Sequence, residues 1–287
     1  MPIAVHPLRW ALAALHAAQP GLPEPASAVV RRATALRLTD AERADELAID
    51  DLRRRLASSR ATVEVVDYGA GTKGGQRPPM RRISDIVARA ATGPAWGRFL
   101  YALARAQQPR RVLELGTNLG ISAAYLGLAM RRTEQEGGVS GHLVTLEGAP
   151  SLADLSHRHL DELAISDRVE VITGRFVDTL PNVLDAHGPF DLVFIDGHHE
   201  EDAAFSYANS IRPHLTPSAL VILDDVEPGR PVRRAWQRLR EAHPEDGALW
   251  LGKLGLLSVG SAPQTSPRPD TGHGLGRTPA SVASSPR

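Results

Sequence analysis

Residues 111–130 read RVLELGTNLGISAAYLGLAM, and this stretch decides the fold. Its start, VLEL at 112–115, is the short apolar run of a parallel strand that helices cover on both faces. Gly116 and Gly120 end the run and allow a ligand to approach the backbone closely. A helix predicted to start near Ile121 offers its free N–H groups to an anion at this turn.

The turn differs from the dinucleotide-binding fingerprint in two ways. That fingerprint spaces its glycines as G-x-G-x-x-G, whereas Asn118 stands at the middle position here. Glu114, at the end of the strand, would repel a pyrophosphate. The same carboxylate could accept hydrogen bonds from a ligand ammonium while the helix start holds a ligand carboxylate. A nucleoside that carries an amino acid meets both demands.

Five apolar runs, each followed by helical periodicity, predict a doubly wound parallel sheet. A sixth region, 248–260, contains two short apolar runs around Gly252 and Lys253 and predicts a closing antiparallel hairpin. The predicted fold class is therefore α/β, a Rossmann-like sheet of parallel strands closed by a hairpin, with an N-terminal helical extension. The five parallel strands are expected at 112–115, 143–146, 169–172, 192–195 and 220–223.

The N-terminal segment, residues 1–92, is predicted to form a helical extension and a lid. Asp40 is the expected N-cap of a helix whose apolar side carries Leu47, Leu52 and Leu56. The piece LRWALAALHAA at 8–18 is interpreted as an amphipathic helix rather than a signal peptide, because His16 interrupts it. The glycine-rich and proline-rich loop at 69–79 is expected to cover the acceptor side of the site.

Two further segments complete the predicted organisation. Residues 93–260 form the main domain, which a helix at 94–107 introduces with a first-turn proline. Residues 261–287 are dominated by proline, serine, glycine and threonine, and this composition predicts a disordered tail.

The composition of the chain indicates which partners are excluded and in which cellular compartment the protein is expected. The chain has 33 Lys and Arg against 33 Asp and Glu, a balance that argues against a general electrostatic grip on nucleic acid or on a membrane. Cysteine is absent, so no disulfide is implied and a cytoplasmic location is expected. The only lysines are Lys73 and Lys253.

The chain resembles the class I S-adenosylmethionine-dependent methyltransferases, in particular the small-molecule O-methyltransferases related to catechol O-methyltransferase. The resemblance covers roughly 94–260 and implies S-adenosylmethionine as the cofactor and a small hydroxylated molecule as the acceptor. Asn118, within the same turn, is expected to contact the cofactor too. The motif is E-x-G-T-x-x-G-x-S, present as Glu114, Gly116, Thr117, Gly120 and Ser122.

Two further regions are implied to hold the cofactor. Glu147 ends the second strand, where a carboxylate can accept both hydroxyls of a ribose; the alternative is a charge at the start of the next helix. Gly174, Arg175 and Phe176 resemble the family's adenine-side segment. Many relatives carry Asp where this chain has Arg175, so the group that reads the adenine amino group is open. Phe176 packs on the base or fills the core.

A metal site is implied by acidic residues after the fourth and fifth strands. The catechol-type enzymes hold magnesium there with an Asp and an Asp-Asn pair, and this chain has Asp196, Asp224 and Asp225. Oxygen ligands of this kind suit Mg²⁺. The alternative is that Asp224 or Asp225 caps a helix or pairs with a nearby arginine.

The catalytic base is predicted to be a histidine. The catechol-type family commonly uses a lysine three residues after the fourth-strand Asp, here Asp196, and this chain has His199 at that position. His198 is the neighbouring candidate, and either histidine could instead bind a metal or lie on the surface. Both lysines lie elsewhere in the sequence pattern. His157 and His159 are expected to face solvent.

Two other functions stay open from the sequence. A nicotinamide dehydrogenase would share the sheet, although Glu114 and the missing middle glycine argue against it. A non-catalytic scaffold that binds the cofactor would fit the missing lysine. The oligomeric state is open, and a homodimer is compatible with the sequence.

Overall fold

The computed structural model describes residues 26–66 and 79–259. Within these ranges a seven-stranded sheet and a separate two-stranded sheet are present. The strands are β1 Thr62–Glu64, β2 Met80–Arg82, β3 Arg111–Leu115, β4 His142–Glu147, β5 Val169–Thr173, β6 Phe190–Ile195, β7 Leu215–Leu223, β8 Gly247–Leu251 and β9 Leu254–Ser258. The helices are α1 Ala26–Ala35, α2 Asp40–Ala57, α3 Ile83–Arg89, α4 Pro94–Gln107, α5 Ile121–Gln135, α6 Pro150–Glu162, α7 Phe176–His187, α8 Glu201–Ile211 and α9 Pro231–Ala242.

The large sheet has the order β5-β4-β3-β6-β7-β9-β8. Its first five strands are parallel, while β9 runs antiparallel to both β7 and β8. This confirms the doubly wound parallel sheet and its closing hairpin. The strand order reverses between β3 and β6, and in open α/β sheets the crevice at such a reversal is where ligands bind.

Helices cover both faces of the sheet, so the central strands alternate between two hydrophobic cores. In β3, Val112 packs into one core, whereas Leu113 and Leu115 pack into the other. This explains why the strand reads as a nearly continuous apolar run. Glu114 projects on the same side as Val112, because side chains alternate along a strand.

The helix α2 begins one residue after its true N-cap, which is Thr39 rather than the predicted Asp40. Thr39 and Glu42 form a reciprocal capping box, a stronger signal than the neighbouring aspartate. Of the three leucines expected on the apolar side, Leu52 and Leu56 are buried as predicted, whereas Leu47 is 63% exposed, so the prediction is wrong for Leu47. The buried side also carries Ile49 and the buried acid Asp45.

Asp45 docks α2 onto the main domain. Its carboxylate accepts hydrogen bonds from Arg131 and Arg132 of α5 and from the hydroxyl of Tyr101 in α4. Three donors satisfy this buried charge, and so it can be buried without a large penalty. The N-terminal extension is thus packed against α4 and α5.

Several predicted features lie outside the described residues. They are the amphipathic piece at 8–18, nearly all of the loop at 69–79, and the tail at 261–287. None of the helices in the described ranges is long and apolar enough to cross a membrane.

Candidate functional site

A cleft of about 230 Å³ opens at the carboxyl ends of the parallel strands. The end of the short two-stranded sheet closes one side through Val65, Val66 and Arg81. Thr117 and Ser122 line a smaller hollow next to the cleft. The residues that line the cleft and were predicted from the sequence are Gly116, Asn118, Glu147, Arg175, Phe176, Asp196, His198 and His199.

The glycine turn after β3 allows two strand ends to approach closely. Gly116 has a φ of 107°, and a Cβ at this position would lie 2.3 Å from the carbonyl oxygen of Asp196. Gly120 is the N-cap of α5 with a φ of 79°, and no side chain caps the helix there. The first N–H groups of α5 are therefore left for a ligand anion.

Helix α6 holds this turn in place. A Cβ on Gly120 would lie 3.1 Å from the Cβ of Ser156, so the two segments are in close contact. The Nδ1–H of His159 donates a 2.9 Å hydrogen bond to the carbonyl of Leu119. His159 is 6% exposed, which corrects the expectation that it faces solvent. Burial lowers the pKa of His159, so the ring that supports the turn is neutral.

Glu147 ends β4 at the floor of the cleft. Its Oε2 accepts a 2.7 Å hydrogen bond from the N–H of Asn118, and its Oε1 accepts a 2.9 Å bond from the N–H of Ala149. Burial raises the pKa of Glu147, and these main-chain donors oppose the shift. The carboxylate is fixed in direction and keeps lone pairs for further donors.

Glu114 lies beneath the turn. It is fully buried and accepts a 2.5 Å hydrogen bond from the hydroxyl of Thr145. Burial raises the pKa of Glu114 to about 7, while Ser122 and Thr145 act in the opposite direction. In the described structure the carboxylate supports a hydroxyl next to the turn through one oxygen, while its Oε1 is buried without a hydrogen-bond partner. The direct contact with a ligand ammonium stays a prediction.

The segment after β5 forms the opposite wall. Gly174 has a φ of 149°, and Arg175 is the N-cap of α7. Phe176 meets Tyr207 edge to face with 5.7 Å between ring centroids, and a Cβ on Gly197 would lie 2.7 Å from its ring. The sequence left a choice between a base-stacking and a core Phe176, and the ring lines the cleft.

Acidic residues meet where β6 and β7 end. Ile195 pairs with Leu223, so the next residues, Asp196 and Asp224, lie side by side. Burial and the Asp224 carboxylate raise the pKa of Asp196 well above its usual value. Asp225 follows Asp224 directly and has a φ of 57°, a backbone conformation in the left-handed region.

Lys253 binds both acids of the fifth-strand pair, which the sequence did not predict. Its Nζ donates to Oδ2 of Asp224 and lies 3.1 Å from Oδ1 of Asp225. Burial lowers the pKa of Lys253, but Asp224 and its acidic neighbours raise it above the usual value overall. Lys253 lies elsewhere in the sequence pattern, but the fold brings it next to the acids after β7.

A topological signal would have found Lys253. Leu223 of β7 pairs with Gly255 of β9 in antiparallel register, so the turn between β8 and β9 lies beside the carboxyl end of β7. The N–H of Val226 then donates a 2.7 Å hydrogen bond to the carbonyl of Lys253. When such a hairpin closes a parallel sheet, its turn lies at the carboxyl ends of the parallel strands, where the cleft opens.

The two histidines after β6 differ in their surroundings. His198 shares a 2.9 Å hydrogen bond between its Nδ1 and the hydroxyl of Tyr207. His199 is the more exposed ring, and its nitrogens lie 4.0 Å from Oδ1 of Asp196 and 3.7 Å from Oδ2 of Asp225. His199 therefore stands between the acids and the cleft, while His198 is engaged by the opposite wall.

Comparison with known proteins agrees with this geometry. Residues 113–226 match the family model described as a methyltransferase domain, from β3 to just beyond β7. The chain is therefore similar to methyltransferases over somewhat less than half of its length. The matched part includes the glycine turn, Glu147 and the acids after β6 and β7.

Proteins similar to this chain include a catechol O-methyltransferase of Mycobacterium tuberculosis, 43% identical over 117 residues that make up 41% of this chain and 49% of that protein. The chain spans about half the length of the curated relatives it matches. A similar solved structure is the O-methyltransferase TomG of Streptomyces achromogenes in complex with SAM, with 29% identity, a TM-score of 0.51, and 60% of this chain and 82% of that chain covered. Another is the O-methyltransferase from Bacillus cereus in complex with SAH, with 26% identity, a TM-score of 0.52, and 60% and 84% covered.

The chemistry of the cleft fits S-adenosylmethionine, the ligand named for one of the similar solved structures. The floor of the cleft offers the Glu147 carboxylate, and the buried Oδ1 of Asn118 has no hydrogen-bond partner in the described structure. Acceptors of this kind match a ligand that carries an ammonium and ribose hydroxyls. The open start of α5 matches its carboxylate.

The predicted magnesium ligands fit less well. Oδ2 of Asp224 and Oδ1 of Asp225 face the ammonium of Lys253, and the buried Oδ1 of Asp224 has no hydrogen-bond partner in the described structure. Within the described ranges, only His142, Glu170 and His187 bring three potential ligand atoms within 4.8 Å of one another. His142 begins β4, so this group lies at the other end of the strands, away from the cleft. The arrangement of Asp196, Asp224 and Asp225 therefore does not form a ready metal site.

Proposed function

We propose that this protein transfers a methyl group from S-adenosylmethionine to a hydroxyl of a small acceptor. The observation that carries the proposal is the carboxylate of Glu147, fixed by two main-chain N–H groups in the floor of a cleft next to the glycine turn. A fixed acceptor pair in this place suits the two adjacent hydroxyls of a ribose. The relatives, which are O-methyltransferases, support the same reaction.

Within this proposal the turn holds the amino-acid end of the cofactor. Gly116, Thr117, Asn118 and Gly120 give main-chain access, and the hydroxyl of Ser122 lies in the adjoining hollow. Glu114 acts through Thr145 from beneath the turn. The adenine end of the cofactor is then expected beside Gly174, Arg175 and Phe176.

The bound cofactor supplies an electrophilic methyl group on a sulfonium. The task of the protein is to align the acceptor oxygen and to remove its proton. His199 is the residue placed to accept that proton, since it lines the cleft and lies near Asp196. Lys253 is unsuited to this role, because carboxylates on two sides hold its proton. Asp196 orients the imidazolium that forms.

A matched pair of assays tests the proposal. Calorimetry with S-adenosylhomocysteine measures cofactor binding, and labelled S-adenosylmethionine with a panel of phenols and other hydroxylated molecules measures transfer. Binding and turnover support the proposal. Binding without turnover on any acceptor supports the non-catalytic scaffold, and absence of binding refutes both. The relatives give the dehydrogenase alternative no support.

Four finer points remain predictions of the sequence. They are a possible Mg²⁺ ion, the cytoplasmic location, a possible homodimer, and the absence of nucleic-acid and membrane partners. The domain boundaries, at residues 92 and 260, are also proposals. Limited proteolysis followed by mass spectrometry tests those boundaries, and sedimentation tests the oligomeric state.

A further inference from the structure

Lys253 is placed by the fold rather than by a chance surface contact. It lies in the turn between β8 and β9, whose backbone is bonded to the segment after β7 through Val226. Its side chain is 29% exposed, and its ammonium touches Asp224 and Asp225. The side chain therefore lies at the carboxyl end of β7, the edge of the sheet at which the ligand cleft opens, and it is partly exposed.

The positive charge of Lys253 is balanced by a carboxylate that the resembled enzymes lack. The catechol-type enzymes have an Asp-Asn pair after the fifth strand, whereas this chain has Asp224 and Asp225 there. It also has one ammonium in contact with the Asp225 carboxylate, at 3.1 Å. Burial acts to raise the pKa of Asp225, but Lys253 and His199 lower it below its usual value. The added acid and the lysine thus form a pair.

The ammonium has a donor to spare. A lysine carries three N–H donors, and the described structure gives it two carboxylate partners, Asp224 and Asp225. His199 contacts the same Asp225, so the open side of Lys253 and the predicted base share one neighbour. An oxygen that gives its proton to His199 would meet a cation there.

We propose that the ammonium of Lys253 is the resident cation of the acceptor site and occupies the place of a divalent metal, so that methyl transfer needs no divalent ion. The inference rests on the proposed function for its catalytic part. Lys253 donates a hydrogen bond to the acceptor oxygen and keeps its own proton. Asp224 and Asp225 hold the ammonium in position.

The step balances without a metal. The acceptor O–H proton passes to His199, and a lone pair of the oxygen forms the bond to the methyl carbon. The carbon–sulfur bond breaks, and its electron pair stays on sulfur, which becomes a neutral thioether. Lys253 stabilises the negative charge that develops on the oxygen and is unchanged at the end.

The test measures metal binding and turnover in the full chain. Manganese EPR and calorimetry with Mg²⁺ are applied to the unaltered protein, Lys253→Met, Lys253→Arg and the control Arg238→Met, which removes an exposed cation that pairs with Glu201 and Asp202. The unaltered protein and Arg238→Met are expected to bind no Mn²⁺ at millimolar concentration and to keep their turnover in chelator. Lys253→Arg keeps the cation, so it is expected to bind no Mn²⁺ either and to have a turnover in chelator between those of the unaltered protein and Lys253→Met. Lys253→Met is expected to lose about 100-fold in chelator and to acquire Mn²⁺ binding that Asp224→Asn abolishes.

The outcomes separate this inference from the proposed function. If the unaltered protein binds Mn²⁺ in a manner that Asp224→Asn abolishes, and chelator stops its turnover, Lys253 is only a counter-ion of Asp225 and the inference is overturned. If no acceptor is methylated under any condition, the proposed function fails, while the EPR result still decides whether Lys253 excludes the metal. Circular dichroism identifies a variant that is unfolded, and Lys253→Arg then carries the comparison.

Discussion

The N–H of Asn118 donates a 2.7 Å hydrogen bond to Oε2 of Glu147, and this bond joins the glycine turn after β3 to the acid that ends β4. Asn118 has a φ of 51°, so the turn aims its N–H at the neighbouring strand. One carboxylate therefore has two tasks, since it fixes the turn and faces the cleft. Loss of Glu147 should affect the cofactor more than it affects the fold.

Glu147→Ala is expected to weaken S-adenosylhomocysteine binding about 100-fold, because hydrogen bonds to a charged group contribute roughly 1.5–3 kcal/mol each. Glu147→Gln keeps one acceptor and should lose less. Calorimetry measures both affinities, and the exposed Glu241→Ala is the control. An unchanged affinity in Glu147→Ala would remove this residue from the cofactor site.

Glu114 should make stability depend on pH. The unfolded chain releases this proton near pH 4.5, whereas the folded protein keeps it until about 7. The folded state therefore binds more protons between these values, so the free energy of unfolding falls as pH rises through this window, by about 3 kcal/mol. Below pH 4.5 the penalty is absent.

Glu114→Gln removes that titration. In urea denaturation without ligand, the variant should match the unaltered protein near pH 5 and exceed it by about 3 kcal/mol at pH 8. Glu241→Gln, an exposed carboxylate, should leave the pH profile as it is. Parallel profiles for Glu114→Gln and the unaltered protein would show that Glu114 titrates normally.

His199→Ala is expected to lower kcat about 100-fold, since a positioned general base contributes at least that much. Cofactor affinity should stay nearly constant. His157→Ala, an exposed ring on α6, is the matched control, and His198→Ala tests the alternative base. If His199→Ala turns over at the normal rate while His198→Ala does not, the proton passes to His198.

The parallel strands and the closing hairpin could be predicted because each strand is buried on both faces and reads as an apolar run. What escaped prediction depends on contacts distant in sequence. His159 is buried because the carbonyl of Leu119 needs a donor, and periodicity carries no sign of that need. Lys253 reaches Asp224 through the register of β7 and β9, which the sequence alone does not reveal. The sequence pattern placed Leu47 on the buried side of α2. That side instead carries Asp45, because Arg131 and Arg132 of α5 donate hydrogen bonds to its carboxylate.

Gly116 allows the end of β3 to lie close to the end of β6 at the cleft. A Cβ there would lie 2.3 Å from the carbonyl oxygen of Asp196, and the backbone φ of 107° is one that other residues rarely adopt. Gly116→Ala should destabilise the protein by about 3 kcal/mol and should push the turn away from β6. Cofactor affinity should fall with it.

A second glycine separates the effect of the clash with Asp196 from the effect of the positive φ. Gly137 has a φ of 83° but no atom within 4 Å of its Cβ position, so Gly137→Ala meets the backbone strain without the clash. It should cost only about 1 kcal/mol and leave cofactor affinity intact. Urea denaturation and calorimetry on both variants make the comparison. Equal losses of stability would mean that backbone conformation alone explains Gly116, and the close approach of β3 to β6 would then have no part in shaping the turn.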